Sequence, residues 1–176
     1  AVFPLLMVGR ATSVLPAGSW PGDQEVASVT LDYDDRHRRR IRLGTDDDRA
    51  VQLDLDTATQ LAHGDGLQLE NGGYVRVVAA HEDVADLRCN GLLETARIAW
   101  HVGNRHIPVE VLDDGVLRIR DDHVIVEMAE RLGAVVNRLK APFSPESGAY
   151  SEASSAASHA RDTNHAHGDH GHSHDH

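Results

Sequence analysis

The sequence has a single cysteine, Cys89, among 176 residues. One thiol cannot build an internal disulfide framework, and it is compatible with a reducing compartment. The chain also has no apolar run near the roughly 18 residues that a membrane-spanning helix needs. The short apolar stretch at residues 1–8 has no basic region before it, so we expect a soluble protein without a secretory signal.

Positive charge is scarce as well. The chain has 17 Lys and Arg residues against 28 Asp and Glu residues, a formal net charge of −11. This balance argues against a protein that binds nucleic acid through a basic face. One basic run, Arg-His-Arg-Arg-Arg at residues 36–40, lies inside a strand pattern. We interpret it as an exposed strand face with solvated arginines rather than as an anion site.

Large aliphatic residues are missing from residues 148–176, where Ser, Ala, Gly, Asp, Asn and His dominate. A segment of this composition cannot bury enough apolar area to offset the entropy of ordering it. We therefore predict a disordered tail over 148–176, and about 147 residues remain to form a folded core.

Short strands and turns alternate along the first part of the chain. Apolar residues recur at every second position at residues 29–33, 41–43 and 51–55, and turns rich in Gly, Asp and Asn separate these stretches. Several short strands at such a spacing predict a small sandwich or barrel. We assign this all-β domain to residues 1–78.

Residues 79–147 alternate strands with helices instead. A turn is expected near 81–83, a hairpin around 113–115, and a last strand from Ala134. With one helix before the hairpin and one after it, the order is β-α-β-β-α-β. This order predicts an α+β, ferredoxin-like second domain after the small all-β domain.

Each predicted helix has an apolar face and a residue that ends it. Gly103 is placed to end the first helix and Gly133 the second, while Asp121 or Asp122 can cap the start of the second. The apolar faces consist of Leu93, Ala96 and Trp100 on the first helix and Val124, Met128 and Leu132 on the second.

Histidine is concentrated in the tail. Of 13 histidines, seven fall in the last 18 residues: His159, His165, His167, His170, His172, His174 and His176. Imidazole nitrogen suits nickel, copper and zinc, and the intervening Gly and Ser leave the backbone free to wrap an ion. The histidines are interrupted throughout, unlike an affinity tag. We predict a metal-binding tail of high capacity without one fixed geometry.

A second histidine pattern, His-Val-Gly-Asn-Arg-His, occupies residues 101–106. Gly103 and Asn104 tolerate positive φ, so we expect the chain to reverse there and to leave His106 exposed. His101 is explained better as a helix-terminal residue whose charge favours the helix dipole than as a metal ligand. A single exposed histidine is not a metal site, so the residues alone leave the role of His106 open.

The sequence resembles the family of urease accessory protein E, the nickel metallochaperone of urease maturation. The resemblance rests on His-Val-Gly-Asn-Arg-His-Ile-Pro at 101–108, on Asp-His-Val at 122–124, and on Ala-Pro-Phe-Ser-Pro-Glu-Ser-Gly-Ala-Tyr at 141–150 before the histidine-rich tail. Weaker similarities lie upstream, and the likeness follows nearly the whole chain in the same order.

The resemblance implies a cytoplasmic homodimer that is not an enzyme and that carries Ni²⁺. In that family the last histidine of the Gly-Asn-Arg-His motif, here His106, lies at the dimer interface and binds nickel with its symmetry mate. Tail histidines complete the coordination, with His159 expected first because it follows the folded domain most closely. His123 matches an additional ligand of some members, although Asp121 stands where some of them have a further histidine.

The partners that the resemblance implies are the urease accessory GTPase and apo-urease, with neither nucleic acid nor a membrane. The chain has no Gly-x-x-x-x-Gly-Lys loop, so nucleotide hydrolysis would belong to the partner.

Two other functions stay open at this point. The chain could be a general store or buffer for zinc, copper or nickel, and zinc or copper binding in vitro is expected in either case. It could also be a metal-dependent hydrolase that assembles His101, His106 and His123 with Glu110, although no His-x-x-x-His helix supports that set.

Overall fold

The computed structural model describes residues 6–147, which form ten strands, two α-helices and two short 3-10 turns. The predicted tail and its seven histidines lie outside the described residues. The strands are β1 Met7–Leu15, β2 Glu25–Leu31, β3 His37–Gly44, β4 Ala50–Gln60, β5 Gly66–Leu69, β6 Tyr74–Ala79, β7 His81–Arg88, β8 Glu110–Val111, β9 Leu117–Arg120 and β10 Val135–Pro142. The helices are α1 Leu92–Gly103 and α2 His123–Arg131.

The first six strands form one mixed sheet in the order β2-β6-β5-β1-β4-β3. β1 pairs with β4, and β2 with β6, in parallel, while the remaining pairs are antiparallel. One face is buried: Val51, Leu53 and Leu55 on β4 join a single apolar core. A backbone hydrogen bond from Asp46 to Ser28 (2.9 Å) joins the turn after β3 to β2, so the two edges of the sheet approach each other. The predicted all-β first domain is confirmed.

The basic run was only partly predicted correctly. Most of the run lies in a strand, β3, as expected, but Arg36 precedes that strand and is buried, with 2% of its surface exposed. Its guanidinium donates hydrogen bonds to the carbonyls of Asp32 (3.3 Å) and Phe143 and lies 5.8 Å from the centre of the Tyr33 ring. Burial lowers the pKa of Arg36, and the Glu82 carboxylate opposes that shift. The interpretation of solvated arginines is therefore wrong for Arg36, because this buried side chain donates to backbone carbonyls.

The last four strands form an antiparallel sheet in the order β10-β7-β9-β8. Along the chain the elements follow β7-α1-β8-β9-α2-β10, so the predicted ferredoxin-like order is confirmed. The turn expected at 81–83 is wrong, because β7 already starts at His81 and pairs with β10 over eight residues. Ala80 alone separates β6 from β7, and the assignment of domains to 1–78 and 79–147 stays a prediction.

α1 packs on this sheet through a face other than the apolar one that the spacing indicates, whereas on α2 the predicted Met128 and Leu132 are half-buried and pack against the core. Ile98 and Val102 of α1, with Ile125 and Ala129 of α2, join the core of the second sheet. The stripe containing Leu93 and Trp100 lies outside: their exposed fractions are 65% and 63%, and Val124 on α2 is 58% exposed. Both helices are therefore apolar on two sides. No helix among residues 6–147 is long and apolar enough to cross a membrane.

Candidate metal site

The end of α1 determines where His106 lies. The backbone N–H of His106 donates to the carbonyl of Gly103 (3.0 Å), and that of Ile107 donates to the carbonyl of Val102 (3.3 Å). This pair of bonds is the Schellman motif, which satisfies helix carbonyls that would otherwise lack donors. The motif places one residue, here His106, in the left-handed conformation just beyond the helix.

His106 has a φ of 56°, and glycine is the usual residue at such a position. The expectation that Gly103 and Asn104 would supply the positive φ is wrong. Gly103 is the last residue of α1, and Asn104 has φ −65° and ψ −18°. The chain does reverse here, but the helical geometry continues through Asn104, so the left-handed residue comes two positions later than expected.

The turn is held in place on both sides of His106. Ile107 packs against the core that contains the buried Val102, which is the apolar contact expected across a Schellman motif. The Arg105 guanidinium folds back and donates to the carbonyl of His101 (2.9 Å). His106 itself is exposed. The fold thus presents this imidazole on a backbone that tertiary packing fixes.

A groove of about 380 Å³ lies on the outer side of the two helices. His101 and Arg105 line it from the α1 side, and α2 contributes Val124, Met128 and Leu132 together with Glu127 and Arg131. The ring of His101 meets the exposed Trp100 edge to face, with 5.0 Å between ring centres. His101 is therefore a half-buried residue of this groove, whereas His106 lies beyond the end of the helix.

His123 is the first residue of α2 and is exposed. The acidic residues before it have structural partners. Asp122 accepts hydrogen bonds from the backbone N–H groups of Val124 (2.9 Å) and Ile125 (3.2 Å), and Asp121 forms an ion pair with Arg138 (3.0 Å). The predicted cap is thus Asp122, and both carboxylates act in the fold beside His123.

The described chain ends close to the His106 segment. The N–H of Glu146 donates to the carbonyl of Val109 (2.8 Å), and that of Ser144 donates to the carboxylate of Glu110 (3.0 Å). The segment before the tail is therefore anchored along residues that follow His106 by only a few positions. The sequence contained the motif at 141–150 but no sign of this pairing, because it joins two segments distant along the chain.

Within residues 6–147 no group of three or more His, Cys, Asp or Glu side chains is arranged to hold a metal ion. The three histidines and Glu110 that were considered for a hydrolase are thus not arranged as a metal site within residues 6–147 of a single chain. His159, His165, His167, His170, His172, His174 and His176 lie outside it. What the described fold provides is an exposed, backbone-fixed imidazole at the end of α1.

These features define a class of protein: a small all-β domain, a ferredoxin-like βαββαβ domain, and an exposed histidine at a helix end ahead of a histidine-rich segment. Two family models match the chain. The one described as the N-terminal domain of UreE urease accessory protein matches residues 11–80, and its C-terminal counterpart matches residues 82–176.

Individual relatives agree with these matches. The urease accessory protein UreE of Agrobacterium fabrum is 43% identical over 166 residues, which cover 94% of this chain and 92% of that protein. The UreE of Chelativorans sp. is 43% identical over 167 residues, covering 95% and 98%. That of Bradyrhizobium sp. (strain BTAi1) is 47% identical over 150 residues, covering 85% and 72%. The chain belongs to the UreE family of urease accessory proteins, which implies a role in urease maturation.

Proposed function

We propose that this protein binds Ni²⁺ as cargo and delivers it during assembly of the urease active site. The observation that carries the proposal is the conformation of His106. An exposed histidine occupies a left-handed position that favours glycine, on a turn fixed by two backbone hydrogen bonds. Strained residues that the surroundings hold in place concentrate at functional sites, and imidazole is a good nickel ligand.

A single imidazole per chain requires further ligands from elsewhere. We propose a homodimer in which two His106 side chains meet on a twofold axis, since such an interface uses the same residue twice. The outer faces of the helices support a contact of this kind. Leu93, Trp100 and Val124 are large apolar residues with more than half of their surface exposed, and α1 leads from this face to His106. Apolar exposure of this extent is typical of interaction surfaces.

The remaining ligands are proposed to come from the tail. Glu146 is anchored at Val109, and His159 follows it by 13 residues. A segment of that length spans at most about 45 Å when extended and about 20 Å on average when flexible. Covalent reach therefore permits His159 to meet an ion held at His106. The later tail histidines, from His165 to His176, would gather additional ions, and His123 is proposed as an accessory ligand.

The test is calorimetric titration with nickel of the full chain and of His106→Asn, with the mass in solution measured in parallel. Asparagine tolerates the left-handed conformation, so this variant removes the imidazole with little change in the turn. We expect loss of the tightest site, about one ion per dimer, while weaker tail binding persists. The matched control is His37→Asn, which removes an exposed histidine at the start of β3 and should bind like the parent.

Unchanged tight binding in His106→Asn would contradict the assignment. The main alternative is a metal buffer. It predicts unchanged tight binding in His106→Asn and a number of bound ions proportional to the number of tail histidines. Truncation after Asn164 separates the two roles of the tail. It should lower the number of bound ions and preserve the tightest affinity, which His159→Ala in the truncated chain should then weaken because the ion would be under-coordinated.

The proposed partners are the urease accessory GTPase and apo-urease, and the proposed location is the cytoplasm, with which the single thiol of Cys89 is compatible. In this proposal the chain carries no catalytic residue of its own. Urease activation in a nickel-limited reconstitution should fall with His106→Asn and recover when nickel is abundant. An equal deficit at every nickel concentration would indicate a role of His106 in partner binding instead.

A further inference from the structure

Two Asn-Gly pairs occur in the described part of the chain, Asn71-Gly72 and Asn90-Gly91. Asparagine followed by glycine can lose its amide without an enzyme, because the glycine nitrogen attacks the side-chain carbonyl carbon and no Cβ obstructs the approach. The reaction requires that the asparagine side chain turn toward that nitrogen. The surroundings of each pair therefore decide whether it reacts in the folded protein.

The first pair is held away from this reaction. The side-chain nitrogen of Asn71 donates to the carbonyl of Val8 (3.1 Å), and the side-chain oxygen lies against Gly9, 2.6 Å from where a Cβ there would stand. The nitrogen that would attack is also engaged, because the N–H of Gly72 donates to the carbonyl of Leu69 (3.1 Å). Both reacting groups of Asn71-Gly72 are thus fixed in the turn between β5 and β6.

The second pair lies in a different setting. Asn90 is exposed, in the short link between the end of β7 and the start of α1. Gly91 is the N-cap residue of α1, with extended backbone (φ −176°, ψ 171°) and no side-chain hydrogen bond capping the helix. The contact found around a Cβ placed on Gly91 is the end of the flexible Glu94 side chain, at 3.1 Å. This link has room for the asparagine side chain to approach the glycine nitrogen.

We propose that Asn90-Gly91 is a site of spontaneous deamidation in the folded protein. The backbone nitrogen of Gly91 forms a bond to the side-chain carbonyl carbon of Asn90, and the amide nitrogen leaves as ammonia with the proton from Gly91. The resulting succinimide is opened by water. Cleavage of one ring C–N bond yields aspartate, and cleavage of the other yields isoaspartate, in which the chain continues through the side-chain carbon.

The product adds a negative charge next to the N-terminus of α1. Free backbone N–H groups and the helix dipole favour a carboxylate at that end. The uncapped start of α1 therefore accommodates the new charge, and the modified protein is expected to remain folded and to accumulate.

The experiment is incubation of the full chain in mildly alkaline buffer, followed by proteolysis and mass spectrometry of the peptides that contain Asn71 and Asn90. Amide-to-acid conversion and isoaspartate are expected at Asn90, with Asn71 retained. A second sample is incubated in urea, where the turn at Asn71 is lost and both asparagines should react. The proposal is overturned if Asn90 stays intact in the folded chain while the unfolded chain reacts, or if both react equally in the folded chain.

Gly91→Ser provides the matched variant. Serine is among the preferred N-cap residues, so α1 should form at least as well, and the Glu94 carboxylate can rotate away from the new Cβ. The Cβ hinders attack by the backbone nitrogen, so the deamidated Asn90 peptide should be lost or strongly reduced. Undiminished conversion at Asn90 in this variant would show that the acid forms by direct hydrolysis and would overturn the mechanism.

Discussion

The two helices end in the same way but with different residues. At the end of α2 the N–H of Gly133 donates to Glu130 (3.0 Å) and that of Ala134 donates to Ala129 (3.0 Å), which is the same pair of bonds that ends α1. The left-handed residue is Gly133 in one case, with φ 95°, and His106 in the other, with φ 56°. A left-handed residue is thus required at both helix ends. Glycine, which backbone energetics favour there, occupies the position after α2, and histidine, which they disfavour, occupies the position after α1.

The different residues at the two helix ends distinguish a residue that serves stability from one that serves function. A residue with a Cβ costs about 1–2 kcal/mol in the left-handed conformation, and histidine is among the side chains found there more often than most. Nothing in the hydrogen bonds or the packing at the end of α1 requires an imidazole, because Gly133 completes the same motif without a side chain. The comparison therefore favours a chemical role for His106, as the nickel proposal states.

His106→Gly should have the largest effect, and on two properties in opposite directions. The tightest nickel site should be lost, since the ligand is gone. The free energy of unfolding should rise by about 0.5 kcal/mol, because the relieved left-handed strain exceeds the entropy that glycine adds to the unfolded chain. Nickel calorimetry and urea unfolding of the metal-free protein measure the two effects. A variant that loses both stability and nickel would show that the imidazole supports the fold.

Gly133→Ala should have the next largest effect, and only on stability. No atom lies within 4 Å of a Cβ built on Gly133, so the cost is that of the backbone conformation, about 1–2 kcal/mol in urea unfolding. Nickel affinity should not change. The control is Gly103→Ala, which also meets open space but lies in helical backbone, where alanine should stabilise by about 0.5–1 kcal/mol. Equal effects at the two glycines would contradict the role assigned to the left-handed conformation.

Local sequence signals predicted most of the fold but not its left-handed residue. The β-α-β-β-α-β order, a cap at Asp121 or Asp122 and the stop at Gly133 follow from short-range patterns, and the structure identifies the cap as Asp122. At the end of α1, Gly103 is the last helical residue as predicted, but the residue with positive φ is His106, around which the Schellman bonds form. Which residue adopts positive φ depends on how Val102 and Ile107 pack into the core, and residue preferences do not contain that information.

The helix faces and the buried arginine show a second limit. Leu93 and Trp100 have helical spacing and an apolar character, yet the sheet packs against Ile98 and Val102 instead. A helix with two apolar sides does not reveal in its sequence which one faces the core. Arg36 was assigned to solvent because it belongs to a charged run, whereas long-range packing surrounds it with carbonyls. The predicted exposure of His106 agrees with the structure, while its role as a metal ligand and the ligands from the tail and from a second copy remain predictions.

The smallest net effect on stability is expected from exchanging the two residues, in the double variant His106→Gly with Gly133→His. Both helix ends make the same two hydrogen bonds, so the strain removed from α1 should equal the strain added to α2. The residues are on different helices, and effects at separate sites add, so the free energy of unfolding should stay within about 0.5 kcal/mol of the parent. The tightest nickel site should still be lost, because the exchange keeps an imidazole at a left-handed position but moves it away from the end of α1. Recovery of tight binding would mean that any strained histidine at a helix end suffices. A stability change well beyond the expected range would show that the two ends are not equivalent, and the inference from Gly133 to His106 would fail.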